Sequence, residues 1–89
     1  MLVASTPKAR QAQRYADNIA ACRRAKGWTH VQLAEVAGVT PRTVYRWEAA
    51  KGSPIADHLE VLEATFGKPA GWFALDHGHG PDRNQEDLP

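Results

Sequence analysis

The 89-residue sequence predicts a single all-α domain of five helices. Two observations carry this: helix-start signatures recur along the chain, each followed by apolar residues three or four apart, and no segment alternates apolar and polar residues as a strand would. Size adds a third, because a chain this short buries one core and sits near the lower limit for folding without a metal or disulfide staple. The single cysteine, Cys22, has no partner for an internal disulfide, and no apolar run reaches the roughly 18 residues of a membrane span. The apolar start, MLVAS, is too short for a secretory signal. The expected setting is a soluble protein of a reducing compartment.

Thr6 followed by Pro7 reads as a helix start, with proline at the first helical position, where its missing N–H is not needed. The first helix follows, clearest from Tyr15, with an apolar row of Tyr15, Ile19 and Cys22 and Gly27 as its stop. Thr29 then caps a second helix, with Gln32 completing a capping box and Trp28 placed to staple onto Leu33. Leu33, Ala34 and Ala37 form its buried stripe, and Gly38 ends it after about two turns. The same grammar repeats at once, with Val39 as staple, Thr40 as cap, Pro41 at the first position and Val44 as the staple's partner. Two short helices joined by a glycine-containing turn form a helix-turn-helix unit.

Ser53 and Pro54 read as a further cap and first position, ahead of a Leu59, Leu62, Phe66 stripe that Gly67 closes. Residues 69–75, PAGWFAL, are a short and very apolar fifth piece. Beyond it, DHGHGPDRNQEDLP is glycine, proline and charge without period, an expected disordered tail. The chain thus divides into residues 1–14 as an N-terminal extension or the start of the first helix, 15–75 as the folded domain, and 76–89 as an acidic tail.

A net charge of +1 conceals an asymmetry. Residues 8–54 hold nine Lys and Arg against three Asp and Glu, whereas residues 55–89 hold two against seven. The first part either faces a polyanion or is simply solvated.

The stretch VTPRTVYRWE, residues 39–48, sharpens that choice. As a helix it turns Val44 and Trp47 inward and leaves Arg42, Thr43, Tyr45 and Arg46 largely outside. Such a face suits a DNA major groove: arginine pairs with guanine N7 and O6 through two parallel bonds, while threonine and tyrosine hydroxyls reach phosphates or base edges. Helix N-termini also favour phosphate.

The residues from Ile19 to Leu75 resemble the Cro/cI-type, or lambda repressor-like, helix-turn-helix family. The likeness lies in the order and spacing of IAACRRAKGWT, QLAEVAGVTPRTVYRWE, KGSP and HLEVLEATFGK. It implies a five-helix DNA-binding domain, with residues 29–37 as the positioning helix and 40–49 as the recognition helix. Carried over residue by residue, it implies Pro41, Arg42, Tyr45 and Arg46 at base edges. Thr29, His30, Gln32, Thr40, Thr43, Lys51 and Ser53 would lie along the phosphates. The implied activity is sequence-specific repression by operator occupation, of the phage or mobile-element type, by a cytoplasmic homodimer on double-stranded DNA without a cofactor.

Three departures from the family pattern stand out. His30 occupies a place often held by Gln; a neutral imidazole can bond phosphate, and a protonated one does so more strongly. Ala50 stands where Gly is usual, so Gly52 is expected to supply the turn. Pro41 replaces a polar reader, leaving only apolar contact such as a thymine methyl.

Other residues have plainer readings. Trp28, Trp47, Tyr15 and Phe66 belong to the core, and Cys22 is a small buried hydrophobe. His77 and His79 offer too few ligands for a structural metal site. Asp57, Glu60 and Glu63 form a solvated face, and Arg10 and Arg14 lie either on the helix surface or along DNA. Trp72, Phe73 and Leu75 are expected both to close the core and to offer a dimer surface. No nucleophile–base pairing, phosphate-cradling loop or ligand cluster points to an enzyme. The alternative is an antitoxin-like module that also binds DNA and grips a protein partner through its C-terminal segment.

Overall fold

The computed structural model describes residues 7–78. Thr6, His79 and the tail beyond residue 78 lie outside the described residues. Four α-helices follow in order: α1 Pro7–Ala25, α2 His30–Ala37, α3 Pro41–Glu48 and α4 Ala56–Phe66, then a 3-10 helix, Trp72–Ala74. The expected fifth helix is therefore a single 3-10 turn. Its bonds run from Trp72 N–H to the Pro69 carbonyl and from Ala74 N–H to Gly71, spans too short for an α-turn.

Local signals place most boundaries. Proline opens α1 as expected, and Arg23 and Arg24 in its last turn face the negative end of the helix dipole. Both halves of the Thr29–Gln32 capping box form: Gln32 N–H donates to Thr29 Oγ1 at 3.1 Å, and Thr29 N–H donates to Gln32 Oε1 at 2.8 Å. Thr40 accepts from Thr43 N–H at 3.3 Å above Pro41. Gly38 and Gly67 adopt the left-handed conformation past α2 and α4, where a side chain would be strained.

The Ser53 cap is a correction. Ile55 holds the cap position of α4 in extended conformation without a side-chain bond, and the helix starts only at Ala56. Pro54 is buried and Ser53 exposed, and the pair lies in the loop between α3 and α4, with Pro54 two residues ahead of the helix it would have opened.

The turn assignment around residue 50 is corrected too. Gly52 does not adopt positive φ; Ala50 does, at 59°. A non-glycine residue there costs about 1–2 kcal/mol. Glycine would relieve that but is more flexible when unfolded, by about 0.5–1 kcal/mol. Ala50→Gly is therefore expected to stabilise the domain by about 0.5–1 kcal/mol in urea titration. A net loss would mean that the Ala50 methyl contributes more by packing than the backbone loses by strain.

The core joins Ile19 and Cys22 of α1, Leu33, Ala34 and Ala37 of α2, Val44 and Trp47 of α3, Leu62 of α4, and Phe73. Around it pack Tyr15, Trp28, Val39, Leu59, Phe66 and Trp72. Trp28 meets Phe66 with ring centroids 5.7 Å apart, and Phe66 meets Phe73 at 6.2 Å. Burial pushes the Cys22 thiol above its ordinary range, so it stays a neutral thiol and behaves as a small hydrophobe.

Among the described residues, one polar side chain is fully buried beside this core. Asn18, 1% exposed, donates through Nδ2 to the carbonyls of Phe73 and Leu75, each at 2.8 Å. It ties the C-terminal turn to the middle of α1.

Candidate nucleic-acid interface

Thr40 and Pro41 start α3 beside the end of α2, and the inward pair Val44 and Trp47 seats it on α1 and α2. Both side chains are buried. Arg42, Tyr45 and Arg46, at spacings of three and four, share the opposite face, and all three are exposed. Eight residues of helix extend about 12 Å, comparable with the width of a B-DNA major groove.

A buried ion pair fixes how that helix is held. Glu48, the last residue of α3, accepts from Arg23 Nε at 2.7 Å and from Nη2 at 3.1 Å, a two-point contact with α1. Both side chains are nearly sealed, Arg23 11% and Glu48 10% exposed. The bonded carboxylate raises the guanidinium's already high pKa further. Arg23 Nη1 also donates to the Trp28 carbonyl at 2.8 Å, tying in the turn before α2. Neither Arg23 nor Glu48 stands out from sequence as a site residue. The available signal was a glutamate at the end of an otherwise basic helix, since an acid beside a DNA surface needs a partner.

His30, expected along the phosphates, is half-buried between α2 and α3. Its Nε2 donates to Glu48 Oε1 at 3.1 Å, and its ring stacks on Tyr45 with centroids 4.1 Å apart and planes 19° off parallel. It braces α3 from α2 and fixes the Tyr45 ring, which is itself 56% exposed.

The remaining expected residues fall as follows. The Arg42 side chain makes no hydrogen bond or ion pair with the described residues. Arg46 donates one bond, Nη2 to the Lys51 carbonyl at 3.0 Å, which steadies the loop after α3. Thr40 and Thr43 share a hydroxyl bond at 3.1 Å while retaining acceptor capacity. Pro41 is half-buried at the start of the helix, and Lys51 and Ser53 are exposed in the following loop. Thr29 and Gln32 are exposed, though each contributes its side chain to the capping box.

The C-terminal trio separates. Phe73 is 0% exposed and belongs to the core of the monomer, so it offers no dimer surface. Trp72 is half-buried: it packs edge-on against Phe73 at 5.0 Å, has Lys68 Nζ 4.4 Å from its ring, and stacks with His77 at 4.0 Å. His77 Nε2 also donates to the Trp72 carbonyl at 2.8 Å, so the tail begins packed against the domain. Leu75 alone of the three is largely exposed, at 57%.

Pairing of Glu48 with Arg23 has an electrostatic consequence. The single acid of α3, at its last residue, is neutralised by α1 behind the helix, while Arg42, Arg46 and Lys51 remain exposed in front of it. The front is a cationic surface with hydroxyls interleaved, able to neutralise phosphates and to offer arginines to guanine edges.

Residues 19–73 match the sequence profile of the helix-turn-helix family of Cro/cI type. Comparison with curated proteins and with solved structures returns no match. With the two-helix unit, its capped turn and the profile agreeing over more than half of its length, this chain belongs to the Cro/cI-type helix-turn-helix family of DNA-binding transcription regulators.

Proposed function

We propose that the protein is a repressor that works by occupying an operator, with α3 in the major groove, and that it binds as a homodimer to a partly palindromic site. The observation that carries this reading is the split character of α3: one face sealed into the core, the other presenting Arg42, Tyr45 and Arg46. Arg42 and Arg46 read guanines, Tyr45 reaches a base edge or phosphate with its ring held by His30, and Pro41 contributes apolar contact. Thr29, Gln32, Thr40, Thr43, Lys51 and Ser53 follow the phosphates on either side. His30 lies along the same phosphates and also acts through Tyr45 and Glu48. The phage or mobile-element setting rests on the family resemblance. Leu75 and the outer edge of Trp72 are the part of the C-terminal turn open to a second copy.

Selection of bound duplexes from a random pool, followed by footprinting of the winner, tests the reading. Two protected half-sites about 34–36 Å apart are expected; a single short footprint would remove the dimer. If about six cations neutralise phosphates, the log-log salt slope is about −5.

Arg46→Ala and Arg42→Ala are each expected to weaken binding to the selected site by about 1–3 kcal/mol and to relax its sequence preference. Lys51→Ala should weaken selected and random duplexes alike. Equal loss on both duplexes for Arg46→Ala would end its base-reading role.

A further inference from the structure

Helix α1 begins at Pro7, well before the family match opens at residue 19. Its first turns lie outside the matched residues, and they carry Lys8, Arg10 and Arg14. The structure sorts these bases onto two sides. Lys8, Ala9 and Ala12 line an open groove of about 450 Å³ whose other wall is Ala50, Lys51, Gly52 and Ser53, the loop between α3 and α4. Arg10 and Arg14 line a different groove, of about 170 Å³, shared with Asp17, Asp76 and His77. Helical geometry accounts for the division, since positions 8, 9 and 12 point roughly opposite to 10, 14 and 17.

The two grooves differ in charge. The one on the Arg10 side contains two carboxylates. The one on the Lys8 side contains two ammonium groups and a hydroxyl, with no acid in its lining. Neither Lys8 nor Lys51 makes a side-chain ion pair with the described residues. Alanine and glycine form much of the lining, so a bulky anion can approach both lysines. The groove is also continuous with the reading face, because Arg46 donates to the carbonyl of Lys51.

We propose that this groove seats a phosphate of the DNA backbone flanking the base pairs that α3 reads, with Lys8 and Lys51 on either side of it. Charge complementarity and continuity with α3 select this occupant. The inference rests on the DNA-binding reading and extends the interface to a part of α1 outside the matched residues.

The test uses the full-length protein, fluorescence anisotropy and two duplexes of the selected site. One is trimmed at the base pairs protected by α3; the other carries half a helical turn more, about 5 base pairs, on each side. Lys8→Ala is expected to lower affinity several-fold on the longer duplex at low salt and to reduce the log-log salt slope there by about 0.9. It should leave the trimmed duplex and the preference for selected over random sequence unchanged. Arg14→Ala, on the opposite side of α1, should leave both affinities unchanged. Both substitutions are at exposed positions and replace a residue with a better helix former, so the fold is retained.

Equal effects of Lys8→Ala on the two duplexes, an unaltered slope, or an Arg14→Ala effect as large as that of Lys8→Ala would overturn the groove and leave diffuse charge in its place. Failure of the wild-type protein to bind either duplex at low salt would overturn the DNA-binding reading itself, a result separable from the first three.

Discussion

Glu48→Ala is expected to cost about 3–5 kcal/mol, a large part of the total stability of a domain this size. The carboxylate accepts two bonds from Arg23 and one from His30, and all of this takes place with the Arg23 and Glu48 side chains about nine-tenths buried. Removing it leaves a guanidinium in a poorly hydrated site with only the Trp28 carbonyl to bond. Urea unfolding should show the loss as a lower midpoint at unchanged slope. Replacing both partners, Glu48→Leu with Arg23→Met, removes the stranded charge without opening a void and should restore most of the stability, because an apolar pair of similar volume is often as stable as a buried ion pair.

Binding should not recover in step. The ion pair contacts α3 at its last residue and sets how the helix leans from α1, which apolar packing does with less directional constraint. The double variant is therefore expected to fold yet bind the selected duplex about tenfold more weakly, equivalent to about 1.4 kcal/mol. A double variant that binds like wild type would reduce the pair to a stabilising contact without a positioning role.

Features that are local in the chain were legible in the sequence. The capping box at Thr29 and Gln32, the Thr40-Pro41 start and the left-handed Gly38 and Gly67 each depend on residues within about one turn, so composition suffices to place them. The inward and outward faces of α3 follow from spacing for the same reason. What escaped depends on pairing across long separations. Arg23 and Glu48 are 25 residues apart, and Asn18 meets carbonyls 55 and 57 residues away.

Two further differences between sequence and structure have other physical causes. Trp72, Phe73 and Leu75 look alike in sequence because a run of large apolar residues has no period that tells inward from outward; the 3-10 turn turns Phe73 into the core and leaves Leu75 outside. Propensity points to Gly52 because glycine is favoured at positive φ, yet the chain reversal after α3 falls at Ala50 whatever residue stands there.

Asn18→Ala is the second large expected loss, about 2–4 kcal/mol. The amide's two protons go to the Phe73 and Leu75 carbonyls, so truncation leaves both acceptors without their donor and opens a small void beside α1. The Phe73 bond is buried, and water cannot readily replace it. Asn18→Asp separates hydrogen bonding from shape. The carboxylate fills the same volume but cannot donate, and at neutral pH it sets a buried negative charge against two carbonyl oxygens. It should therefore be worse than Asn18→Ala at pH 7. Its carboxyl pKa would be raised by folding, so the stability deficit should shrink as pH falls and the protonated acid donates one bond again. Urea titration of the three proteins at pH 7 and at pH 4 to 5 reads this directly. A cost below about 0.5 kcal/mol for Asn18→Ala, within the range of surface substitutions, would show that the C-terminal turn is held by Phe73 packing alone. The same series bears on assembly: if Leu75 is the residue offered to a second copy, releasing the turn from α1 should weaken dimerisation even where the monomer remains folded.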